Sequence, residues 1–558
     1  MQRNAAVGHC LLGLLGLLAL ATWGSAQAVR RLPVKEYRDK MMGGWIGQID
    51  GVSFGAPTEF RWAGKTIPEA DTPKWSEEMV NNAFGQDDLY VEMTFLRSLK
   101  LYGLGVSPKQ AGIDFANSEY GLWCANRAGR ENLRRGIAPP DSGHPKFSRN
   151  SDDIDYQIEA DYSGLISPGL PNTAIALGEK FGRMMNYGDG LYAGQFIGGM
   201  YTEAFSESDI QRVIEAGLKC IPAESQYAGM VRDLCQWHRE NPDDWEKSWA
   251  LVEARYSRDP AYHRYAGGGI DAKLNGACVL LGLLYGGSDP EKTMAIACRA
   301  GWDSDCNPSS AAGVLFTTIG YGKLPDRFKA KLRQDAVFSF TAYNFPKLIG
   351  VCEALAHQTV VQAGGTIEKG AEGAEAFVIP VLAPKPGPLE RSWEPGAIAN
   401  SRFTEEERKL IKFPDELTRA LAAVAPGWTL SNCGQDMGAP ALLDSFGGRK
   451  SVLITHPLNK DTADTLSRQL AVPADKKTTL RLVVGHFPQG DWLLQVKADG
   501  KVLAEKTVGA ETAPDTWLSI DVDLSLYAGK TVALELVNQP TGWAWEAAYW
   551  AQVAVVSE

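Results

Sequence analysis

The hydrophobic period of this sequence changes between residues 362 and 427, and no other feature constrains the fold as strongly. Before the change, apolar residues recur at helical spacing, as in "YVEMTFLRSLKLY". The segment between, with "QAGGTIEKGAEGAEA" and "APKPGPLERSWEPG", is typical of an irregular linker with one strand over 377–382. After it, "WLLQVKADGKVLAEKTV" and "WLSIDVDLSLYAGKTVALELVNQ" alternate apolar and polar residues around short turns. The sequence therefore predicts an all-α domain over 29–361, a linker over 362–427 and a β-sandwich of the jelly-roll type over 428–558.

The first 28 residues have the layout of an export signal. Arg3 precedes an apolar run over residues 11–21, and the small residues Ala26 and Ala28 mark a cleavage site. The run is short for a bilayer span, and no later stretch is long and apolar enough to be one. We expect a mature protein that begins near Val29, is exported to a periplasm or beyond, and has no integral membrane segment.

Composition argues against one class of partner. The 558 residues carry a net charge of −11, with a pI near 5.4. Phosphate binding requires a concentrated basic face, and none is visible in this sequence. Nucleic acid is therefore not expected as a partner. The oligomeric state is not fixed by composition.

Four glycines recur at a spacing of four residues, from Gly43 to Gly55. On a helix this spacing leaves one face without side chains, which lets a second helix approach closely. Gln48 and Asp50 interrupt the apolar character that a membrane dimer would need. The stripe therefore predicts close packing of two helices in a water-soluble domain.

Two acidic pairs stand at predicted helix starts. Asp87 and Asp88 lie in "FGQDDLYVEMTFL", and Asp303 and Asp305 lie in "AGWDSDCNPSSAAG". One acid at a helix N-terminus is stabilised by ~0.3–1 kcal/mol and needs no further explanation. Each motif, however, offers two acids where a cap needs one. If the four carboxylates lie close together in the fold, a cation must offset their repulsion. Carboxylate oxygens are typical ligands of hard divalent metal ions, so such an ion is the expected cation.

Three motifs in order, "GQIDGVSFGAPTEF", "GQDDLYVEMTFL" and "GWDSDCNPSSAAG", resemble the ADP-ribosylglycohydrolase family over roughly residues 36–350. The resemblance implies a compact all-α domain that holds two Mg²⁺ or Mn²⁺ ions between the early and the late acidic segment. The positions that match the family's metal ligands are Gln86, Asp87, Asp88, Asp303, Asp305 and Cys306. The resemblance further implies catalytic roles for Glu59, Asp88 and Asp303, and the C-terminal sandwich is expected to be galactose-binding-like.

The sequence departs from the family pattern at four positions. Gln86, Leu89 and Cys306 stand where the family has threonine, and Val52 stands where it has aspartate. Gln86 still offers a carbonyl oxygen, whereas the soft Cys306 is a poor Mg²⁺ ligand but tolerable near Mn²⁺. We therefore expect a metal site with altered chemistry and a changed natural substrate.

The densest acidic stretch, "SDDIDYQIEADYSGLISPG", covers residues 151–169. As a helix it would present like charges at i, i+4, which is typical of a solvated face. The alternative is that Asp152, Asp153 and Asp155 line a cleft and bind the substrate's hydroxyl groups. The sequence leaves both interpretations open.

Two further motifs have competing interpretations. "GVSFG" matches the nucleophile elbow, but the helical glycine spacing and Pro57 disfavour a serine hydrolase. Trp543, Trp545 and Trp550 are consistent with a sugar-stacking platform, although aromatic packing in a small β core is the favoured interpretation.

The function predicted first is metal-dependent hydrolysis of a glycosidic bond, with removal of an ADP-ribosyl or related sugar group by a dinuclear Mg²⁺ or Mn²⁺ site. Because an exported enzyme meets few ADP-ribosylated proteins, a second hypothesis keeps the fold and makes the substrate an environmental glycan. A third hypothesis is a non-catalytic glycan-binding protein whose metal site has decayed.

Overall fold

The computed structural model describes residues 28–265, 267, 269–370, 373–434 and 436–558. Apart from Ala28, the predicted export signal lies outside these residues. Among the residues described, none of the helices combines the length and the apolar character that crossing a bilayer requires.

The N-terminal part is helical, as predicted. Its helices are α1 (Val34–Gly55), α2 (Asp87–Tyr102), α3 (Pro108–Ala116), α4 (Cys124–Arg134), α5 (Asp155–Ile158), α6 (Asp161–Leu165), α7 (Pro171–Phe181), α8 (Asp189–Ala204), α9 (Ile210–Leu218), α10 (Gln226–Glu240), α11 (Trp245–Val252), α12 (Ala272–Tyr285), α13 (Pro290–Arg299), α14 (Cys306–Ile319) and α15 (Phe345–Gln362). One continuous apolar core joins them, from Tyr37 on α1 to Val360 on α15.

The glycine stripe of α1 packs against α14 along its length, which confirms the predicted close helix packing. A Cβ at Gly51 would overlap the backbone of Pro308 and Ser309, and one at Gly55 would overlap the backbone of Ser304. Only glycine permits this approach. The contact fixes the N-terminus of α14 against the C-terminus of α1, and α14 begins directly after the predicted metal ligand Asp305.

The segment predicted as a linker lies along the helical part. Strands β2 (Thr366–Lys369) and β3 (Glu375–Pro380) form a three-stranded antiparallel sheet with β1 (Val29–Pro33), in the order β1-β3-β2. Residues 381–404, which we name the strap, then cross the surface of the helical part in irregular conformation. Helices α16 (Glu405–Lys409) and α17 (Glu416–Val424) follow.

Side chains of the helical part hold the strap. Asp141 accepts hydrogen bonds from the Ala399 and Ser401 amides, both at 2.8 Å. The Tyr192 hydroxyl donates to the Pro388 carbonyl at 2.9 Å. The strap is therefore fixed by specific contacts, and the predicted domain bounds remain a prediction.

The C-terminal part is a β-sandwich, which confirms the predicted class. Its strands are β4 (Thr429–Ser431), β5 (Ala441–Phe446), β6 (Arg449–Thr455), β7 (Asp464–Ala471), β8 (Thr478–His486), β9 (Trp492–Ala498), β10 (Lys501–Val508), β11 (Trp517–Asp523), β12 (Thr531–Gln539) and β13 (Ala548–Ser557). They form two open antiparallel sheets, in the orders β10-β9-β12-β7-β4 and β11-β8-β13-β6-β5. The core between the sheets includes Trp492 and Trp550, whose ring centroids lie 5.4 Å apart. The predicted hairpin turn is present at Asp499-Gly500, where both residues have positive φ.

A buried carboxyl group makes the stability of the sandwich pH-dependent. Asp464 is 1 % exposed, neither of its carboxyl oxygens has a hydrogen-bond partner among the described residues, and burial raises its pKa to about 7. In the unfolded chain the same group loses its proton near its ordinary pKa of 3.8. Between these two values only the folded state holds the proton, so the stability that Asp464 contributes is full below pH 4 and lost as the pH rises to 7. We expect calorimetric unfolding of Asp464→Asn to show a weaker loss of stability over this range than the unaltered chain. An identical pH dependence in both proteins would contradict this assignment.

Candidate metal centre

The two predicted acidic motifs meet in the structure. The Cys306 thiol donates a hydrogen bond to Oδ2 of Asp88 at 3.2 Å, although the two residues are 218 positions apart. Carboxylate oxygens of Asp303 and Asp305 lie within 4.8 Å of each other and of the Cys306 sulfur. Four of the predicted site residues are therefore neighbours, and the Asp305 carboxylate also lies close enough to Asp87 to raise the pKa of that group.

The carboxylates of this cluster lack a positive partner. Asp88, Asp303 and Asp305 are 1 %, 4 % and 3 % exposed, and Oδ1 of each has no hydrogen-bond partner among the described residues. No described Lys or Arg side chain forms an ion pair with them. Burial raises the pKa of Asp88 and of Asp303, and the neighbouring Asp305 carboxylate raises both further. Unpartnered, buried, hard oxygen donors of this kind fit a divalent cation.

The late motif is held rigidly by neighbouring helices. Asn275 on α12 is fully buried and its Oδ1 accepts from the Asp303 amide at 3.0 Å and from Asn307 Nδ2 at 2.9 Å. The Ser304 hydroxyl is hydrogen bonded to the Thr58 hydroxyl at 2.8 Å, which ties the motif to the turn that follows α1. The backbone of the late motif is thus fixed between α12 and the turn that follows α1.

Glu59 lies on the rim of this cluster. It follows the short 3-10 helix Ala56–Thr58 and its side chain is exposed to solvent. The neighbouring residues still shield part of the carboxyl group from water. This partial burial, together with the nearby Asp305 and Asp87 carboxylates, raises the pKa of Glu59 to about 7. Gln86 is the N-cap residue of α2 and is half-buried. Among the described residues, its side chain makes no hydrogen bond to the late motif.

Of the two interpretations of the 151–169 stretch, the solvated face is wrong. Apart from half-buried Gly169, the stretch is buried and breaks into the short helices α5 and α6, because its acids hydrogen bond to other segments. Asp153 accepts from the Ala125 amide at 2.6 Å, and Asp155 accepts from the Asn126 amide at 2.5 Å. These two acids therefore cap α4. Burial, together with the nearby Asp153 and Asp87 carboxylates, raises the pKa of Asp155.

Asp152 connects the same stretch to the strap. Its Oδ2 lies 3.0 Å from His263 Nε2 and also accepts a hydrogen bond from Ser392 on the strap. The imidazole of His263 stacks on the indole of Trp393, with ring centroids 4.6 Å apart. The predicted substrate-binding roles of Asp152, Asp153 and Asp155 stay a prediction, and their visible contacts are structural.

The structure also reveals two buried polar residues of α12 that the motifs did not identify. Asn275 orients the late motif. Fully buried Lys273 lies 3.4 Å from Asp271 and 4.0 Å from Asp189, neither of which belongs to the acidic cluster. The only signal for either was a Lys and an Asn in the apolar helix "AKLNGACVLLGLLY". Asp189 lies in the first turn of α8 and accepts from the Tyr227 amide at 3.1 Å.

Comparison with known proteins gives one family match. The model of the ADP-ribosylglycohydrolase family matches residues 33–363. None of the curated proteins matches the chain. An ADP-ribosylglycohydrolase-related protein complex is similar to 58 % of this chain and 99 % of that chain, with 16 % identity and a TM-score of 0.37. The CBM22-1 xylan-binding domain of Paenibacillus barcinonensis Xyn10C is similar to 24 % of this chain and 88 % of that chain, with 14 % identity and a TM-score of 0.18. A cyclase from Fischerella sp. is similar to 24 % of this chain and 84 % of that chain, with 15 % identity and a TM-score of 0.19.

Proposed function

The chain belongs to the ADP-ribosylglycohydrolase family, and from this we propose that it hydrolyses a glycosidic bond at the cluster of Asp87, Asp88, Asp303 and Asp305 with the aid of bound divalent cations. A glycohydrolase-like function follows from the family. The metal dependence, the role of each residue and the substrate are our proposals.

One observation carries the proposal. Two acidic motifs that are more than two hundred positions apart bring carboxylates into one buried cluster, and three of these carboxylates keep an oxygen with no described partner. A cluster with only a structural purpose would pair such oxygens with donors, because an unpaired buried carboxylate is strongly destabilising. Carboxylate oxygens that are buried together and lack protein partners are the arrangement expected of a cation-binding site.

The roles of the residues follow from their positions. Asp88, Asp303 and Asp305 would hold the cations, with Asp87 beside them, and a bound cation would lower the pKa of water and orient sugar hydroxyl groups. Glu59, on the rim, would accept a proton from the water that attacks the anomeric carbon. As the bond from that carbon to the leaving group breaks, individual carboxylate oxygens that face the sugar would stabilise the oxocarbenium-like transition state. The proton held by Glu59 then passes to the leaving group.

The proposal has two forms, which differ in the natural substrate. Hydrolysis of an ADP-ribosyl group follows the family, whereas an environmental glycan suits the predicted export and the attached sandwich. The second form also accommodates Gln86 and Cys306 in place of the family's threonines. We propose that the protein is exported, on the strength of its first 28 residues.

The proposal is tested by assays on the purified chain from residue 29 onward. The substrates are ADP-ribosyl-arginine, ADP-ribosyl-serine and a panel of glycosides, each with Mg²⁺, with Mn²⁺ and after removal of metal by EDTA. We expect cation-dependent release of ADP-ribose or of a free sugar, and complete loss of activity in EDTA that returns on adding the metal. A protein that neither binds metal nor cleaves any of these substrates would support the non-catalytic hypothesis instead.

Cys306 makes a specific prediction about the preferred ion. Its thiol lies among hard carboxylate ligands, so Cys306→Ser replaces a soft donor with a hard oxygen of similar size. We expect Mg²⁺ to bind Cys306→Ser on the order of tenfold more tightly, with a smaller change for Mn²⁺. Isothermal titration calorimetry measures both affinities.

Cys352→Ser is the matched control for this change, because Cys352 is a fully buried free cysteine on α15. Its metal affinities should equal those of the unaltered chain. Equal Mg²⁺ affinity in Cys306→Ser would show that the sulfur does not approach the ion.

A further inference from the structure

The three tryptophans near the C-terminus occupy different environments. Trp550 is fully buried in the sandwich core, as the favoured interpretation predicts, whereas Trp545 is 44 % exposed. The Trp545 ring lies parallel to the Phe487 ring, with centroids 4.7 Å apart and 11° between the planes. One face of the indole is therefore supported by Phe487, and nearly half of the residue's surface is exposed to solvent.

The backbone at Trp545 is strained. Its φ is +67°, a region that costs a bulky L-residue about 1–2 kcal/mol. Strain of this kind persists where the surroundings impose it, and it clusters at binding sites.

The loop that carries Trp545 is held by a buried carboxylate. Glu546 is 2 % exposed and accepts hydrogen bonds from the Thr541 amide at 3.0 Å and the Gly542 amide at 2.5 Å. Asn538 Nδ2 donates to the Glu546 carbonyl at 3.1 Å. The loop is thus preorganised with the indole outward, which reduces the entropic cost of binding a ligand.

Polar side chains stand on the two loops that meet at Trp545. The Thr541 hydroxyl donates to Asp491 Oδ1 at 2.6 Å, which joins the Trp545 loop to the loop that contains Gly490. Gly490 lies against Trp545 so closely that a Cβ there would overlap the tryptophan. Gln489 and Asp491, on either side of Gly490, are exposed. An apolar plate with carboxylate and amide groups at its edge matches a pyranose ring, which has a C–H face and a rim of hydroxyl groups.

We propose that Trp545 and Phe487, with Gln489, Asp491 and Thr541, form a binding site for a pyranose ring of a glycan chain, which we name the Trp545 site. Its size favours a sugar over a protein partner. The exposed indole offers on the order of 100 Å², whereas a stable protein interface needs about 800 Å² from each partner.

The Trp545 site lies at the end of the sandwich that faces the helical part. Met437 and Ala439 share one apolar cluster with Phe487 and Ala547, next to the Trp545 loop. The neighbouring segment Gly438–Pro440 lines a cavity of about 280 Å³ together with Cys124 and Asn150 of the helical part. Cys124 in turn begins α4, which Asp153 and Asp155 cap. A glycan held by Trp545 would therefore lie near the boundary between the sandwich and the helical part. That this glycan is also the substrate rests on the proposed function.

Binding of cello-, xylo-, manno- and chitohexaose, measured by isothermal titration calorimetry, tests the site. We expect at least one of these to bind the full chain from residue 29 onward, and Trp545→Ala to weaken that binding about tenfold or more, as truncation of an aromatic contact does. Trp545→Phe should recover part of the affinity. Leu526→Ala is the matched control, since Leu526 is 85 % exposed in the turn between β11 and β12, at the opposite end of the sandwich.

The outcomes separate this site from the proposed hydrolysis. After removal of metal by EDTA, Asp303→Asn and the unaltered chain should bind the hexasaccharide equally, because the Trp545 site does not involve the metal centre. Binding that is equal in Trp545→Ala and Leu526→Ala, or absent for all four sugars in the unaltered chain, would overturn the proposal whether or not the enzyme is active.

Discussion

Asp303→Asn is expected to lower kcat/KM on the order of a thousandfold and to remove bound metal from the purified protein. The change replaces a buried hard carboxylate with a neutral amide at the centre of the cluster formed by Asp88, Asp305 and Cys306. Asp87→Asn should have a similar effect, because both motifs are needed to complete the site. Metal content is measured by inductively coupled plasma mass spectrometry, and rates are measured on the substrate that the unaltered chain cleaves.

The stability of the same variant distinguishes a metal site from a structural cluster. Burial raises the pKa of Asp303, and the Asp305 and Asp88 carboxylates add to this, so removing its charge should stabilise the cation-free protein. Added Mn²⁺ should raise the Tm of the unaltered chain and leave the Tm of Asp303→Asn unchanged. Asp335→Asn, an exposed acid of the same domain with no described partner, serves as the control and should behave like the unaltered chain. Full activity in Asp303→Asn would refute the site.

Gly51→Ala is expected to destabilise the helical part by about 3 kcal/mol or more, which is the range of severe overpacking. The added Cβ would overlap the backbone of Pro308 and Ser309 on α14, and neither backbone can move aside as a flexible side chain would. The two helices must separate instead. Because α14 begins at the metal-centre candidates, metal affinity should fall together with stability.

Gly350→Ala is the matched control for this prediction. Gly350 is an exposed residue of α15, and a Cβ there would meet nothing within 4 Å. The same substitution should therefore stabilise the chain by about 0.5–1 kcal/mol through helix propensity. Urea unfolding followed by circular dichroism measures both variants. Equal midpoints for Gly51→Ala and the unaltered chain would contradict the close packing of α1 on α14.

Features of the fold that depend on local patterns were predictable from the sequence. The hydrophobic period separated helices from strands, and the turn at Asp499-Gly500 located a hairpin, because both signals are local. The glycine stripe also predicted a close helix contact, although not that α14 is the partner. That identity depends on tertiary packing, which no local pattern encodes.

The candidate site was predictable only in part. The acidic doublets pointed to Asp87, Asp88, Asp303 and Asp305 because two acids exceed what a helix cap needs. For residues 151–169, the helical spacing of the charges suggested a solvated face. It gave no indication that Asp153 and Asp155 accept hydrogen bonds at the N-terminus of α4. The attachment of the strap to the helical part was not predictable either, because its hydrogen bonds to Asp141 and Tyr192 follow no periodic sequence pattern.

The most direct test of the account is an anomalous X-ray diffraction measurement on crystals of the chain from residue 29 onward soaked in Mn²⁺. The account predicts strong manganese peaks between the early and the late acidic motif, within coordination distance of carboxylate oxygens of Asp88, Asp303 and Asp305. Absence of manganese there, with those oxygens hydrogen bonded only to protein or water, would contradict it.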